Sequence, residues 1–240
     1  SSFKKLMKKF IKNKLKSLLN FIEDNFRIKK SPPDIYFDNL AYDCFKLFEK
    51  DMKKASVFLK DDEIRKYSIS KALKHSADNN LFLEFGVYKG DSINTFANYL
   101  LHKNLNIYGF DSFEGLEEEW ITDSYNPVGT FSLNRKTPKV SKNVNLVVGK
   151  VQATLENFLE KNTGNKIAFV HMDMDTYTPT KYVLDKIKPF LRKGSIILFD
   201  EFYGFQHWQI HEYKAFTELF NEKEYKYIAF GTRQAAIEIL

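Results

Sequence analysis

The chain has one cysteine, Cys44, in 240 residues. An internal disulfide framework is therefore excluded, and so is a zinc site built from thiolates. The reducing cytoplasm is the expected compartment. Long apolar runs are also missing, so no stretch reads as a bilayer-spanning helix. Residues 1–30 lack the unbroken apolar core and cleavage site of a signal peptide. No internal repeat occurs, and the only biased stretch is a lysine-rich start. A basic face on the globular part is absent too. The formal net charge is +6, but residues 1–30 hold ten Lys and Arg against Glu23 and Asp24. Residues 31–240 hold the other 27 basic and 29 acidic side chains, a net of −2. No nucleic-acid partner is expected from that balance.

What is present suits one α/β domain with an appendage: 43% hydrophobic and 28% charged residues, with 23 Phe and 13 Tyr. Within residues 1–30, Phe3, Leu6, Met7, Phe10, Ile11, Leu15, Leu18, Leu19, Ile22 and Phe26 recur at helical spacing. Lysines fill the opposite face, which predicts a basic amphipathic helix. Such a helix packs on the body or in a homodimer, lies on the inner face of an anionic membrane, or stays solvated. "KKSPPD" at 29–34 reads as a linker, because consecutive prolines hold a chain extended. The expected organisation is the basic helix (1–30), a helical extension (31–78) and a main domain (79–240).

In the extension, one helix is expected near 37–56. A second starts at Asp61-Asp62 and runs through "EIRKYSISKALKHSA". Strands are then predicted at 81–85, 106–110, 144–148, 166–171 and 195–199. Helices are predicted at 91–102, 152–162, 179–192 and 209–222. Short apolar runs alternating with helical segments indicate a parallel sheet covered on both faces. The tail breaks that rhythm, since "YKYIAF", Gly231-Thr232 and "RQAAIEIL" predict an antiparallel pair at the sheet edge. Residues 113–142 form a polar insertion whose length predicts a lid or binding loop, with Trp120, Tyr125 and Phe131 as its aromatic contacts.

"LFLEFGVYKGDSINTF" (81–96) joins a strand to a helix through Gly86 and Gly90. Gly86 allows a tight turn and a close approach to a ligand. Asp91 or Ser92 is placed to cap the helix, and Glu84 is expected to face the crevice beyond the strand. Asp111 follows Gly86 by 25 residues, the distance at which a carboxylate binds ribose hydroxyls. Tyr88 occupies the middle position of the glycine fingerprint, which disfavours a pyrophosphate and favours a nucleoside without phosphates, such as S-adenosylmethionine.

A second set of residues is acidic. "KIAFVHMDMDTY" ends in His171, Asp173 and Asp175, and "GSIILFDEFYGF" in Asp200 and Glu201. Carboxylates past two adjacent parallel strands converge on one rim, where they repel unless a cation joins them. All-oxygen ligands select Mg²⁺, Mn²⁺ or Ca²⁺. Asp175, before Thr176 and Thr178, also reads as a helix cap.

The stretches "EFGVYKGDSINTFA", "YGFDSFEGL", "VHMDMDTYTPTKYVLDKIKPFLRKGSIILFDEF" and "HEYKAFTELF" resemble class I S-adenosylmethionine-dependent methyltransferases. More narrowly, they resemble the metal-dependent macrocin and mycinamicin sugar O-methyltransferases, over roughly residues 80–240. The resemblance implies a Rossmann-like fold with a mostly parallel seven-stranded sheet and an antiparallel C-terminal strand. It implies metal ligands at Asp173, Asp200 and Glu201, where Glu201 replaces an Asp common in the family. The methionine part of the cofactor would lie by Glu84, Gly86 and Tyr88, near Gly90 and Ser92. The ribose would lie on Asp111 and Ser112, and the adenine by Gly149, Lys150 and Val151. Some members use a histidine three residues after the first metal acid, where this chain has Thr176. That leaves Asp173, also at the cofactor, or His207 as the base; His211 reads as a helix start and His171 as a buried core residue. The implied activity is metal-dependent O-methylation of a sugar hydroxyl, on a nucleotide-activated sugar or a glycoconjugate. A catechol-type O-methyltransferase and a catalytically inactive membrane-surface binding protein of the same fold are the alternatives.

Overall fold

A parallel strand packed by helices on both faces has no solvent side, so continuous apolar runs become the middle of a sheet. The computed structural model describes residues 2–26, 30–74 and 80–240. The chain divides into two compact units, Ser1–Asn39 and Leu40–Leu240.

In the smaller unit, α1 (Ser2–Phe26) is a single helix, and α2 (Pro32–Met52) begins before the unit ends. Pro32 and Pro33 do not extend a linker; they occupy the first turn of α2, where a missing N–H costs nothing. Ser31 and Asp34 close a reciprocal cap: the Ser31 backbone N–H and hydroxyl donate to Asp34 Oδ2 at 2.8 and 2.7 Å, and the Asp34 N–H donates to Ser31 Oγ at 3.4 Å. The preceding residues of the expected linker, up to 29, lie outside the described residues.

In the larger unit, the second half of α2 buries Cys44 and Phe48, and the Phe48 ring meets those of Phe202, Tyr203, Trp208 and Phe230. In chain order the strands are β1 (Ser56–Val57), β2 (Asn80–Phe85), β3 (Ile107–Asp111), β4 (Trp120–Ile121), β5 (Tyr125–Asn126) and β6 (Val144–Val148). They continue with β7 (Lys166–Met172), β8 (Leu191–Phe199), β9 (Tyr225–Phe230) and β10 (Ala235–Ile239). The helices after α2 are α3 (Asp61–Lys74), α4 (Asp91–Leu101), α5 (Val151–Lys161), α6 (Tyr177–Ile187) and α7 (Glu212–Leu219). The main sheet has the order β1-β9-β10-β8-β7-β2-β3-β6, and β4 and β5 form a separate hairpin inside the insertion. In the main sheet, among the described residues, only β10 runs against its neighbours, β8 and β9.

Two expectations change here. The main sheet has eight strands rather than seven, because β1 pairs with β9 through Ser56 and Val57, too short a segment to show a period. The tail pair is not at the edge either: β10 is inserted between β8 and β9, which is why Ala235, Ala236 and Ile237 are all fully buried. Helix boundaries also shift, since α6 stops at Ile187, two residues before Pro189. The end of the helix expected to reach Ala77, and the domain boundary at 78, lie outside the described residues.

Alternation along each strand divides the core. Leu81, Leu83, Phe85, Ile197 and Phe199 pack on one face of the sheet. Phe82, Ile196 and Leu198 pack on the other, with Ile93 and Phe96 of α4. Period two puts Glu84 on the second face with Phe82, and the register pairs it with His171. Two polar side chains thus enter an apolar layer, next to the strand ends.

Candidate active site

The carboxyl ends of β2, β3, β6, β7 and β8 open on a cleft of about 290 Å³, where parallel sheets bind ligands. Gly86 forms its floor with φ of +89°, and a Cβ there would stand 1.8 Å from the Asp173 carbonyl oxygen. No side chain fits. Tyr88 also has a left-handed backbone, φ 47°. Asp111 holds this turn: Oδ2 accepts the backbone N–H groups of Val87 and Tyr88 at 2.9 and 2.8 Å, and Oδ1 accepts that of Phe113 at 2.6 Å. The Gly149 N–H donates to the Asp111 carbonyl at 2.9 Å, so the β6–α5 turn reaches the same rim. Ser112, Lys150 and Val151 line the cleft beside Asp111 and Gly149.

Glu84 is not in the cleft. Its carboxylate is fully buried, accepts from the Ser92 hydroxyl at 3.0 Å and meets His171 Nδ1 at 3.1 Å. His171 Nε2 continues the chain to Asp200 Oδ1 at 3.2 Å, and that oxygen also accepts from Arg65 Nη2 at 2.9 Å and from the Gln234 amide. Burial alone would lower the His171 pKa, yet Asp200 and Glu84 raise it. Burial alone would raise Asp200, but His171, Arg65 and Gln234 hold it well below the usual carboxylate range. Glu84, by contrast, is pushed up by burial. Gly90, with φ of +87°, takes the cap position of α4 in place of Asp91 or Ser92, and neither it nor Ser92 lines the cleft.

Asp173, Asp175 and Glu201 do line the cleft. Burial first, then their mutual repulsion and that of Asp200, raises Asp173 and Asp175 well above the ordinary range. Glu201 is pushed up to about 8 by burial and Asp200. Glu212, the first residue of α7, joins them: it is fully buried and raised by burial, Asp175 and Asp200. Its Oε1 accepts the Met174 N–H at 3.3 Å. Oε2 of Glu212 and Oε2 of Glu201 are buried without a hydrogen-bond partner. Asp175 does not cap α6, since Thr176 takes that position, and Asp175 itself has φ of 61°.

Atoms of His171, Asp173 and Asp200 lie within 4.8 Å of one another, so the two expected ligand aspartates converge. A hard divalent cation fits this surround, which is all oxygen on the cleft side, carries mutually repelling carboxylates and holds two buried oxygens without a hydrogen bond, of which Glu201 Oε2 has only a loose ion pair with Arg233 Nη1 at 3.8 Å. The His171 nitrogens, spent on Glu84 and Asp200, orient the acids.

The insertion contributes two of its three expected aromatics. Trp120 and Phe131 line the cleft with ring centroids 6.3 Å apart, and Phe131 meets Tyr88 at 5.4 Å. Tyr125 is exposed and donates to Glu119 instead. His207 is exposed and does not line the cleft. His211 is buried as the residue before α7, stacked on Phe205, with burial lowering its pKa. Sequence reasoning gave no role to Arg65, Glu212 or Gln234. Only Glu212 left a signal, an acid at the start of an amphipathic helix in "HEYKAFTELF".

Comparison with known proteins agrees with this geometry. Residues 83–202, half of the chain, match the family model described as a methyltransferase domain. The crystal structure of CalS11, a calicheamicin methyltransferase, matches with 23% identity and a TM-score of 0.59, over 88% of this chain and 94% of that one. Apo CalS11, described as a TDP-rhamnose 3'-O-methyltransferase, matches with 21% identity and a TM-score of 0.56, over 88% and 96%. The O-methyltransferase NovP matches with 16% identity and a TM-score of 0.53, over 74% and 78%. Among curated protein sequences none matches significantly. A glycine-floored cleft at the carboxyl ends of a sheet with one antiparallel strand thus accompanies a family match, and the chain belongs to the methyltransferase-domain family, as a class I S-adenosylmethionine-dependent methyltransferase.

Proposed function

We propose that the protein methylates a sugar hydroxyl, on a nucleotide-activated sugar or a glycoconjugate, with S-adenosylmethionine as donor and a divalent cation as cofactor. One observation carries the reading: Asp173, Asp175 and Glu201 present carboxylates to the same cleft that Gly86 floors and Trp120 and Phe131 wall. The likeness to CalS11, a TDP-rhamnose 3'-O-methyltransferase, supports a sugar acceptor.

When bound, the sulfonium supplies the methyl group, and the cation lowers the pKa of the acceptor hydroxyl. The chain's own residues divide the remaining work. Asp111 has three of its roughly four acceptor sites filled by backbone amides and offers the remainder to a ribose hydroxyl. Gly86 and Tyr88 border the methionine part, and Gly149, Lys150 and Val151 the adenine. Asp173, Asp200 and Glu201 hold the cation, with Asp175 and Glu212 adding negative charge around it. Asp173, where the donor cleft meets the acids, accepts the hydroxyl proton. Trp120 and Phe131 give the acceptor apolar faces and exclude water.

The test is a methyl-transfer screen with nucleotide sugars and catechols, run in chelator and again with added Mg²⁺. Cation-dependent transfer to a sugar is expected. Transfer to catechols alone would replace the acceptor, and full activity in chelator would remove the cation.

A further inference from the structure

We infer that α1 docks on the surface of an anionic lipid bilayer. Met7, Ile11, Leu15, Leu18 and Leu19 share one side of the helix by their spacing. Each is more than half exposed, at 51, 53, 58, 57 and 56%. A run of large apolar side chains left in water at this spacing is an interaction face. By the same spacing Lys12 and Lys16 border the stripe along its Leu19 edge, and Lys8 stands between Leu15 and Leu19; all three are exposed. The charge on the helix names the partner. Over Ser2–Phe26 the sequence has seven lysines, and its only acids, Glu23 and Asp24, fall in the last turn.

That combination of an apolar stripe bordered by lysines suits the boundary between acyl chains and anionic headgroups. A second copy of the same helix is a poorer alternative, because two acids per helix cannot offset seven lysines and the pair would stay strongly positive. The helix lies on the bilayer rather than through it, since among the described residues no helix is long and apolar enough to cross a membrane. This inference is independent of the acceptor and of the cation.

The full chain is mixed with vesicles of phosphatidylcholine, with or without phosphatidylglycerol, and sedimented. Binding is expected only with phosphatidylglycerol, and it falls by about tenfold or more at high salt as the headgroup charge is screened. The double variant Leu15→Glu/Leu19→Glu keeps every lysine. It should stay in the supernatant while its melting temperature and S-adenosylmethionine affinity, both measured alongside, match the parent. Three outcomes overturn the inference. The parent ignores anionic vesicles, or the double variant binds them equally well. In the third, light scattering finds a dimer that the double variant splits while neither protein sediments with lipid, which assigns the face to a second copy.

Discussion

Arg65 Nη2 lies 2.9 Å from Asp200 Oδ1, a contact between α3 and the end of β8 across 135 residues of sequence. Both side chains are mostly buried, 19 and 16% exposed. After His171, Arg65 is the next influence that keeps Asp200 ionised, ahead of Gln234, and it comes from a helix outside the family match. Removing Arg65 leaves Asp200 buried with only His171 and Gln234 to offset its charge. Arg65→Met should cost about 2–4 kcal/mol in urea unfolding, near the range for buried pairs. Asp200→Asn in the same background should return part of that loss, and the double-mutant cycle should show a coupling of about 1 kcal/mol or more. An additive cycle would reduce the contact to a chance of packing.

Gly86→Ala tests the floor of the cleft. The new methyl would meet the Asp173 carbonyl, a backbone atom of β7's extension that has no rotamer to move to. The residue would also carry a left-handed φ. Strain and overpacking together should destabilise the fold by about 2–4 kcal/mol. Displacing Asp173 relative to Asp111 should also lower turnover by about 10²-fold. Calorimetry with S-adenosylmethionine and a thermal melt read the two effects separately. A variant with parental melting temperature and affinity would contradict the close approach.

The acidic rim predicts a pH dependence. Burial and then Asp200 push Glu201 up to about 8, and Asp173, Asp175 and Glu212 are raised as well. Unfolded carboxyls titrate near about 4. Between those values the folded Glu201 holds a proton that the unfolded chain has released, so its contribution to stability is full below about 4 and lost as pH rises through about 8, and the other three raised acids act in the same direction. His171, also raised, acts in the same direction, whereas Asp200, held low, loses stability only in strong acid. In chelator the melting temperature should fall from about pH 5 to about pH 8, and Mg²⁺ should restore more of it at the upper end, where the ligands ionise readily. A melting temperature that rises across that interval without cation would reverse the reading of the rim.

Much of this site was legible because a parallel sheet brings strand ends together whatever lies between them. Gly86, Asp111, Asp173 and Glu201 could be placed on one rim from strand positions alone. Glu84 could have been read better: Phe82 and Glu84 share a face by alternation, so its carboxylate enters the layer under α4 rather than the crevice. Arg65 could not be read at all. Its partner is 135 residues away, and nothing in "DDEIRKYSIS" distinguishes it from a solvated arginine. The two residues of β1 were invisible for a different reason, since two residues set no period and only pairing with β9 makes them a strand. His207 followed from sequence proximity to Asp200 and Glu201, but the loop between them turns it outward.

Trp120 offers the sharpest test of the acceptor side. It is 6% exposed, lines the cleft and has an indole N–H without a hydrogen-bond partner. A buried donor left unpaired is costly, so the N–H is expected to meet an acceptor oxygen on the bound substrate. Trp120→Phe keeps an aromatic wall against Phe131 and Phe205 and removes the donor. It should raise the acceptor KM by about tenfold, the scale of one hydrogen bond, while S-adenosylmethionine affinity stays unchanged. Fluorescence gives an independent reading, because the chain has two tryptophans and Trp208 packs against Phe48, away from the cleft lining. In a Trp208→Phe background, acceptor binding should alter the emission of Trp120. Equal KM values for parent and Trp120→Phe would mean that the indole contributes only its ring.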